Sequence, residues 1–174
     1  LVLGIALVVL LIVGSAVVSA YNVQQLHADS RRVDHTHQVI ATLESIAPGP
    51  GLAMAYSMRS AGYMLTNQRR LAEQWGERAN ELAKRFNEHG TIAHALNNIG
   101  SALADEGQPR GFELLEQSLA IALEHNLQDH ASRAYRNASE ASVRNRLLAQ
   151  AEALIVPGID FARAHDMDLH VVGL

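Results

Sequence analysis

The stretch ALNNIGSALAD, Ala95 to Asp105, has two counterparts in the same chain: AYSMRSAGYML, Ala55 to Leu65, and AYRNASEASVR, Ala134 to Arg144. The offsets are 40 and 39 residues. Small residues recur at matching places, Ser60 with Gly100 and Ser139, and Gly62 with Ala102 and Ala141. Turn signals keep step, since Asn67 precedes Gly107 by forty residues. A self-similar period of roughly 20–50 residues marks a stacked array, in which each unit buries its apolar face only against the next. Between the matched stretches lie second helices: RRLAEQWGERANELAKRF, PRGFELLEQSLAIALEHN and LLAQAEALIVPGIDFARAHD. The last two share spaced histidines, His125 and His130 against His165 and His170.

Paired helices are therefore predicted at about 56–66, 69–88, 91–105, 109–125, 129–145 and 147–165. They form antiparallel hairpins with Leu96, Ile99, Leu103, Leu115, Leu119 and Tyr135 in the core. Two residues depart from the pattern. Arg59 stands where Ile99 and Ala138 predict a buried apolar side chain, and Pro157 is expected to interrupt the last second helix. The first and last hairpins should be less well packed than the middle one. The fold class is all-α: an N-terminal transmembrane helix followed by an α-solenoid of antiparallel hairpins.

This logic is that of tetratricopeptide repeats, with a period a few residues longer than their usual 34. In PGPGLAMAYS, WGERANELAKRF, AHALNNIGSAL and ALEHNLQDHASRAYRN, the region Ala47 to Leu174 also resembles the helical-repeat region of LuxR-type bacterial transcriptional regulators. That resemblance implies a protein-binding role. Tetratricopeptide proteins hold extended peptides in the groove lined by their first helices. The resemblance implies a carboxylate-gripping Asn two residues before the small Gly-type position, which Asn98 and Asn137 match here. Arg133 and Arg136 stand close by in sequence and could give charge-assisted contacts to an acidic peptide end. These four are the candidate peptide-binding residues. The competing reading is a solvated face with an Asn caught in a helix turn.

The chain opens with LVLGIALVVLLIVGSAVVSAYNV, which carries no charged residue until Asp29. At ~1.5 Å per residue, about 20 residues span the ~30 Å bilayer core, so residues 1–23 read as a transmembrane or signal-anchor helix. Two alternatives stay open: a cleaved signal peptide, with Val18-Ser19-Ala20 as its cleavage site, and a buried core helix. Residues 24–46 read as a juxtamembrane helix. The stretch YNVQQLHADSRRVDHTHQVIATLESI resembles the start of CHASE-type sensor domains, whose extracytoplasmic four-helix bundles precede bacterial histidine kinases and cyclases. Residues 47–52 form a Pro/Gly break, the seam between the sensor-like helix and the repeats at 53–167. Residues 168–174 read as the start of a next helix. The predicted location is the bacterial inner membrane, single-pass; the side of the soluble part stays open, with the extracytoplasmic side favoured.

Composition narrows the chemistry. The formal net charge of -4 predicts no nucleic-acid footprint. No cysteine is present, which excludes a disulfide framework, a thiolate zinc site and a cysteine nucleophile. Lys84 is the only lysine, so Schiff-base and phosphate-loop chemistry lack a second candidate. No GxxxxGK[ST] loop, phosphoacceptor box or helix-turn-helix appears. His35 and His37, two apart, point about 200° apart on a helix and cannot share a metal. Glu113, Glu116, Glu124 and Asp129 read as a solvated acidic face, and the sequon at Asn137 falls in mid-helix. No cofactor, metal site or catalytic set is predicted, and no small-molecule substrate. The expected function is a membrane-anchored, non-catalytic interaction module of bacterial signalling or regulation, with a protein or peptide partner. The alternatives are a truncated sensory receptor of histidine-kinase type and a fragment of a LuxR-type transcriptional regulator.

Overall fold

The computed structural model of the chain describes residues 41–42 and 48–167, and divides the chain into two units at Thr42 and Leu43. The membrane-helix reading of 1–23, nearly all of the sensor-like helix at 24–46, the histidines at 35, 37 and 170, and the segment 168–174 lie outside the described residues. Among the described residues no helix is long and apolar enough to cross a membrane.

In the second unit six helices follow one another: α1 Pro50–Leu65, α2 Arg69–Arg85, α3 His89–Ala104, α4 Pro109–Glu124, α5 Gln128–Arg144 and α6 Leu148–Ala164. No strand occurs among the described residues. Each helix ends the same way. One residue past the C-cap, or two past it in α3, the backbone adopts positive φ, at Asn67, Asn87, Gly107, Asn126, Arg146 and Asp166, with values from 54° to 72°. The next N–H then reaches back to the helix, as Gln68 N–H does to the Tyr63 carbonyl and Leu127 N–H to the Ala122 carbonyl, both at 2.8 Å. This is the Schellman closure, which satisfies carbonyls that the helix leaves open. Asn and Gly tolerate left-handed backbone best, which is why five of the six joints use Asn, Gly or Asp and why the chain reverses about every twenty residues.

Helices pair as α1 with α2, α3 with α4, and α5 with α6, and the hairpins stack. First helices of neighbouring hairpins touch, α1 with α3 and α3 with α5, whereas second helices have little mutual contact. The first helices therefore lie on the inside of the curve. Alanine and glycine permit that closeness. A methyl on Gly111 would stand 2.3 Å from the Ala104 amide nitrogen, and one on Gly100 would stand 2.9 Å from the Gly111 carbonyl oxygen. Leu96, Ile99, Leu103 and Leu115 are buried, as the repeat register predicts, while Leu119 and Tyr135 are only half-buried. Each fully buried leucine contributes about 1.5–3 kcal/mol. Gly62 departs from its small-residue set. It is exposed with nothing near, whereas Ala102 and Ala141 are buried.

Three sequence expectations change here. The Pro/Gly break at 47–52 is shorter than expected, because Pro50 occupies the first helical position of α1, where its missing N–H has no helical partner to lose. Arg59 does not loosen the first hairpin. It is 8% exposed, with its guanidinium 4.0 Å from the Trp75 ring centre and a 3.2 Å hydrogen bond to the Tyr63 hydroxyl. An aromatic face and a phenol replace the apolar partner that the pattern demanded. Pro157 does not end α6, which runs on to Ala164. Ala153, whose carbonyl loses its helical donor, is exposed, as is Pro157, so the missing bond falls on the solvent side of the helix. The outer face of this last helix leaves Leu148 and Val156 exposed.

Candidate functional site: the concave groove

The site begins with helix periodicity. On α3, His94, Asn98, Ser101 and Asp105 follow a spacing of four, three and four, which aligns them on one face. On α5 the same spacing aligns Arg133, Asn137, Glu140 and Arg144, with Arg136 beside them. Because α1, α3 and α5 lie side by side on the inner surface, these faces form one cleft of about 620 Å³. Its α1 wall is Ala61, Met64 and Leu65, its floor is the α3 face, and its far wall is the α5 face. Asn98, Asn137, Arg133 and Arg136 all line this cleft.

The two asparagines serve the architecture as well. The Asn98 side chain, 1% exposed, donates from Nδ2 to the Ser57 carbonyl of α1 at 3.0 Å. Asn137 donates from Nδ2 to Asn97 Oδ1 at 2.6 Å and to Ser101 Oγ at 3.2 Å. Each therefore reaches back to the first helix of the preceding hairpin. A third link repeats the motif, Asn145 Nδ2 to the Ala104 carbonyl at 2.8 Å. Buried amides left without partners cost about 1–3 kcal/mol each, so this ladder fixes the spacing of the inner helices. In this arrangement both N–H donors of Asn137 are engaged within the protein.

The arginines are different. Arg133 and Arg136 are half-buried on α5, and neither makes a hydrogen bond or ion pair with the described residues. Burial, followed by the nearby Arg136 charge, lowers the pKa of Arg133 from its ordinary value, while Asp129 acts in the opposite sense. Its charged form is thus less comfortable folded than in water. At the other end of the cleft one cation faces two carboxylates. Arg144 pairs with Asp105 and, at 3.7 Å, with Glu140. The groove is therefore cationic toward the starts of α3 and α5, and carries an excess of acid toward their ends.

Two histidines that sequence reasoning left as helix-end residues or did not single out belong to the cationic end. His94 Nδ1 shares a 2.8 Å hydrogen bond with Ser57 Oγ, and its ring meets that of His130 edge-on at 5.9 Å. Burial, with Arg133 and His130 nearby, lowers the His94 pKa to about 4. Burial and Arg133 also lower that of His130. The available signal was the repeat register, which places His94 39 residues before Arg133. Elsewhere His89 stacks on His125 with ring centres 3.6 Å apart, and His165 bonds the Phe161 carbonyl at 2.8 Å. Among the described residues no three His, Asp or Glu side chains gather as metal ligands.

No protein-family model matches the chain, and no curated protein does. Neither the CHASE-type nor the LuxR-type resemblance is shown. Among solved structures the chain is similar to aspartyl phosphate phosphatase F from Bacillus subtilis, at 15% identity and a TM-score of 0.70. The match covers 79% of this chain and 37% of that one, so the chain spans little more than a third of its length. At that identity the likeness is one of fold, an all-helical repeat.

Proposed function

We propose that this chain is a non-catalytic protein-interaction module whose concave groove holds an extended segment, with a carboxylate of that segment against Arg133 and Arg136. The observation that carries the reading is the pair of half-buried guanidinium groups that make no ion pair or hydrogen bond with the described residues, on the inner face of a helical repeat. A carboxylate arriving there restores what burial removes, and Arg forms the strongest such contacts through paired N–H donors. Asn98 and Asn137 hold the groove in shape, with the Asn137 side chain at its surface.

A charge-assisted hydrogen bond contributes about 1.5–3 kcal/mol, so Arg133→Ala should weaken binding of a carboxylate-ended peptide about tenfold or more and reduce its salt dependence. The same change should leave thermal stability unaltered or slightly raised, because the charge it removes is disfavoured by folding. Asn137→Ala should weaken binding less while lowering stability. A peptide-library pull-down with titration of the hits at two salt concentrations, read beside thermal melts, checks these statements. Equal binding by wild type and both variants removes the groove from the proposal.

The reading includes a tether: residues 1–23 anchor the module in a bacterial inner membrane, on its extracytoplasmic side, as part of signalling or regulation. The full chain should then resist carbonate extraction and keep its N-terminus. Recovery of a soluble form beginning at Tyr21 would establish the signal-peptide alternative instead.

A further inference from the structure

We infer that the segment held by this groove runs antiparallel to the inner helices, with an apolar side chain three to four residues before the carboxylate seated in a side cleft beside Met64. This rests on the groove reading above and adds direction and spacing to it. Direction follows from charge. Arg133 and Arg136 lie in the second and third turns of α5, and their two positive charges favour the carboxylate there. The opposite end holds Asp105 and Glu140 against the single cation Arg144, which repels a second carboxylate and suits the amino-terminal side of the ligand.

The apolar position follows from a second cavity. A cleft of about 240 Å³ opens off the groove at its acidic end and shares Met64, Asn67 and Asp105 with it. Met64 and Ala102 give it apolar surface, and its rim is charge-matched, since Arg69 pairs with Glu106 at 2.9 Å. Leu65 stands beside it 76% exposed, at the C-terminal end of α1. An apolar surface left open beside a polar groove marks a place for a partner side chain. In the repeat register Leu65 is level with Asp105 and Arg144, eight residues along from Arg136. Eight helical residues rise ~12 Å, and an extended chain covers that in three to four residues at ~3.3 Å each.

The test uses the full chain and two synthetic hexapeptides of identical composition with free C-termini. In Ser-Leu-Ser-Ser-Ser-Asp the leucine stands four residues before the aspartate, and in Ser-Ser-Ser-Ser-Leu-Asp it is adjacent. The first should bind on the order of fivefold more tightly by fluorescence polarisation, from partial burial of one leucine side chain. Met64→Gln should erase that advantage, so that the two peptides bind alike. Leu65→Gln, at an exposed position that leaves folding intact, should reduce it. Equal binding of the two peptides, with both still lost in Arg133→Ala, overturns the side-cleft inference and leaves the groove reading in place. Failure of both peptides to bind wild type overturns both.

Discussion

Gly111→Ala is expected to destabilise the repeat by about 2–3 kcal/mol, although alanine is the better helix former by ~1 kcal/mol. The added methyl would meet the Ala104 amide nitrogen at 2.3 Å, the Ala104 Cα at 2.8 Å and the Gly100 carbonyl oxygen at 2.8 Å. All three are backbone atoms, so no rotamer change relieves the clash and α3 and α4 must separate. Gly76→Ala supplies the control. Its methyl would meet Ile99 Cγ1 at 2.4 Å and Ser60 Oγ at 2.9 Å, which are side-chain rather than backbone atoms. The Ser60 hydroxyl donates to the Ala72 carbonyl at 2.6 Å, so this adjustment has a cost, smaller than that of parting two helices. Chemical denaturation of the three proteins should rank wild type above Gly76→Ala and Gly76→Ala above Gly111→Ala. A Gly111→Ala protein as stable as wild type would show that the α3–α4 hairpin is not closed by backbone contact. The consequence reaches function, because α3 is the floor of the groove.

The residues that made the fold legible are those that act locally. Asn67 and Gly107 keep step with the repeat and mark left-handed joints, and the small residues Ser60, Gly100 and Ser139 recur because each hairpin repeats one packing problem. Local signals misled where one residue admits two uses. Pro50 reads as a breaker but serves as a helix start, and Pro157 reads as an interruption but faces water. Arg59 was illegible for another reason, since its partner Trp75 lies on the next helix and no pattern within α1 reveals it. The site was half legible. Repeat register and residue type bring Arg133, Arg136, Asn98 and Asn137 together, yet which amide donors are already used depends on Ser57, Asn97 and Ser101 in the preceding hairpins. The histidines of the cationic end required three-dimensional knowledge, because a histidine is ordinary until burial and a neighbouring cation act on it.

Acidification should destabilise the fold through those histidines, and the effect should follow the occupancy of the groove. His94 titrates near 4 when folded and at its ordinary 6.5 when unfolded, because of burial first and then the charges of Arg133 and His130. A base whose pKa is depressed by folding takes up its proton in the unfolded state first. The stability this neutral histidine contributes is therefore fully present above pH 6.5 and is lost as pH falls toward 4. With the His94 ring partly open to solvent, the loss is about 2–3 kcal/mol across that interval, and His130, shifted in the same direction, adds to it. Denaturation curves for wild type and His94→Gln at pH 7.5, 5.5 and 4.5 isolate the term, since other acid-sensitive groups are common to both proteins. The wild-type curve should fall more steeply, and parallel curves would show that His94 is not held neutral by the fold. Arg133 links this titration to binding. It depresses His94 through charge, so Arg133→Ala should raise the His94 pKa toward its ordinary value, as should a peptide carboxylate that neutralises Arg133 in place. An upward shift of the His94 imidazole resonances on adding the peptide at pH 5, absent in Arg133→Ala, would report a carboxylate seated at that arginine.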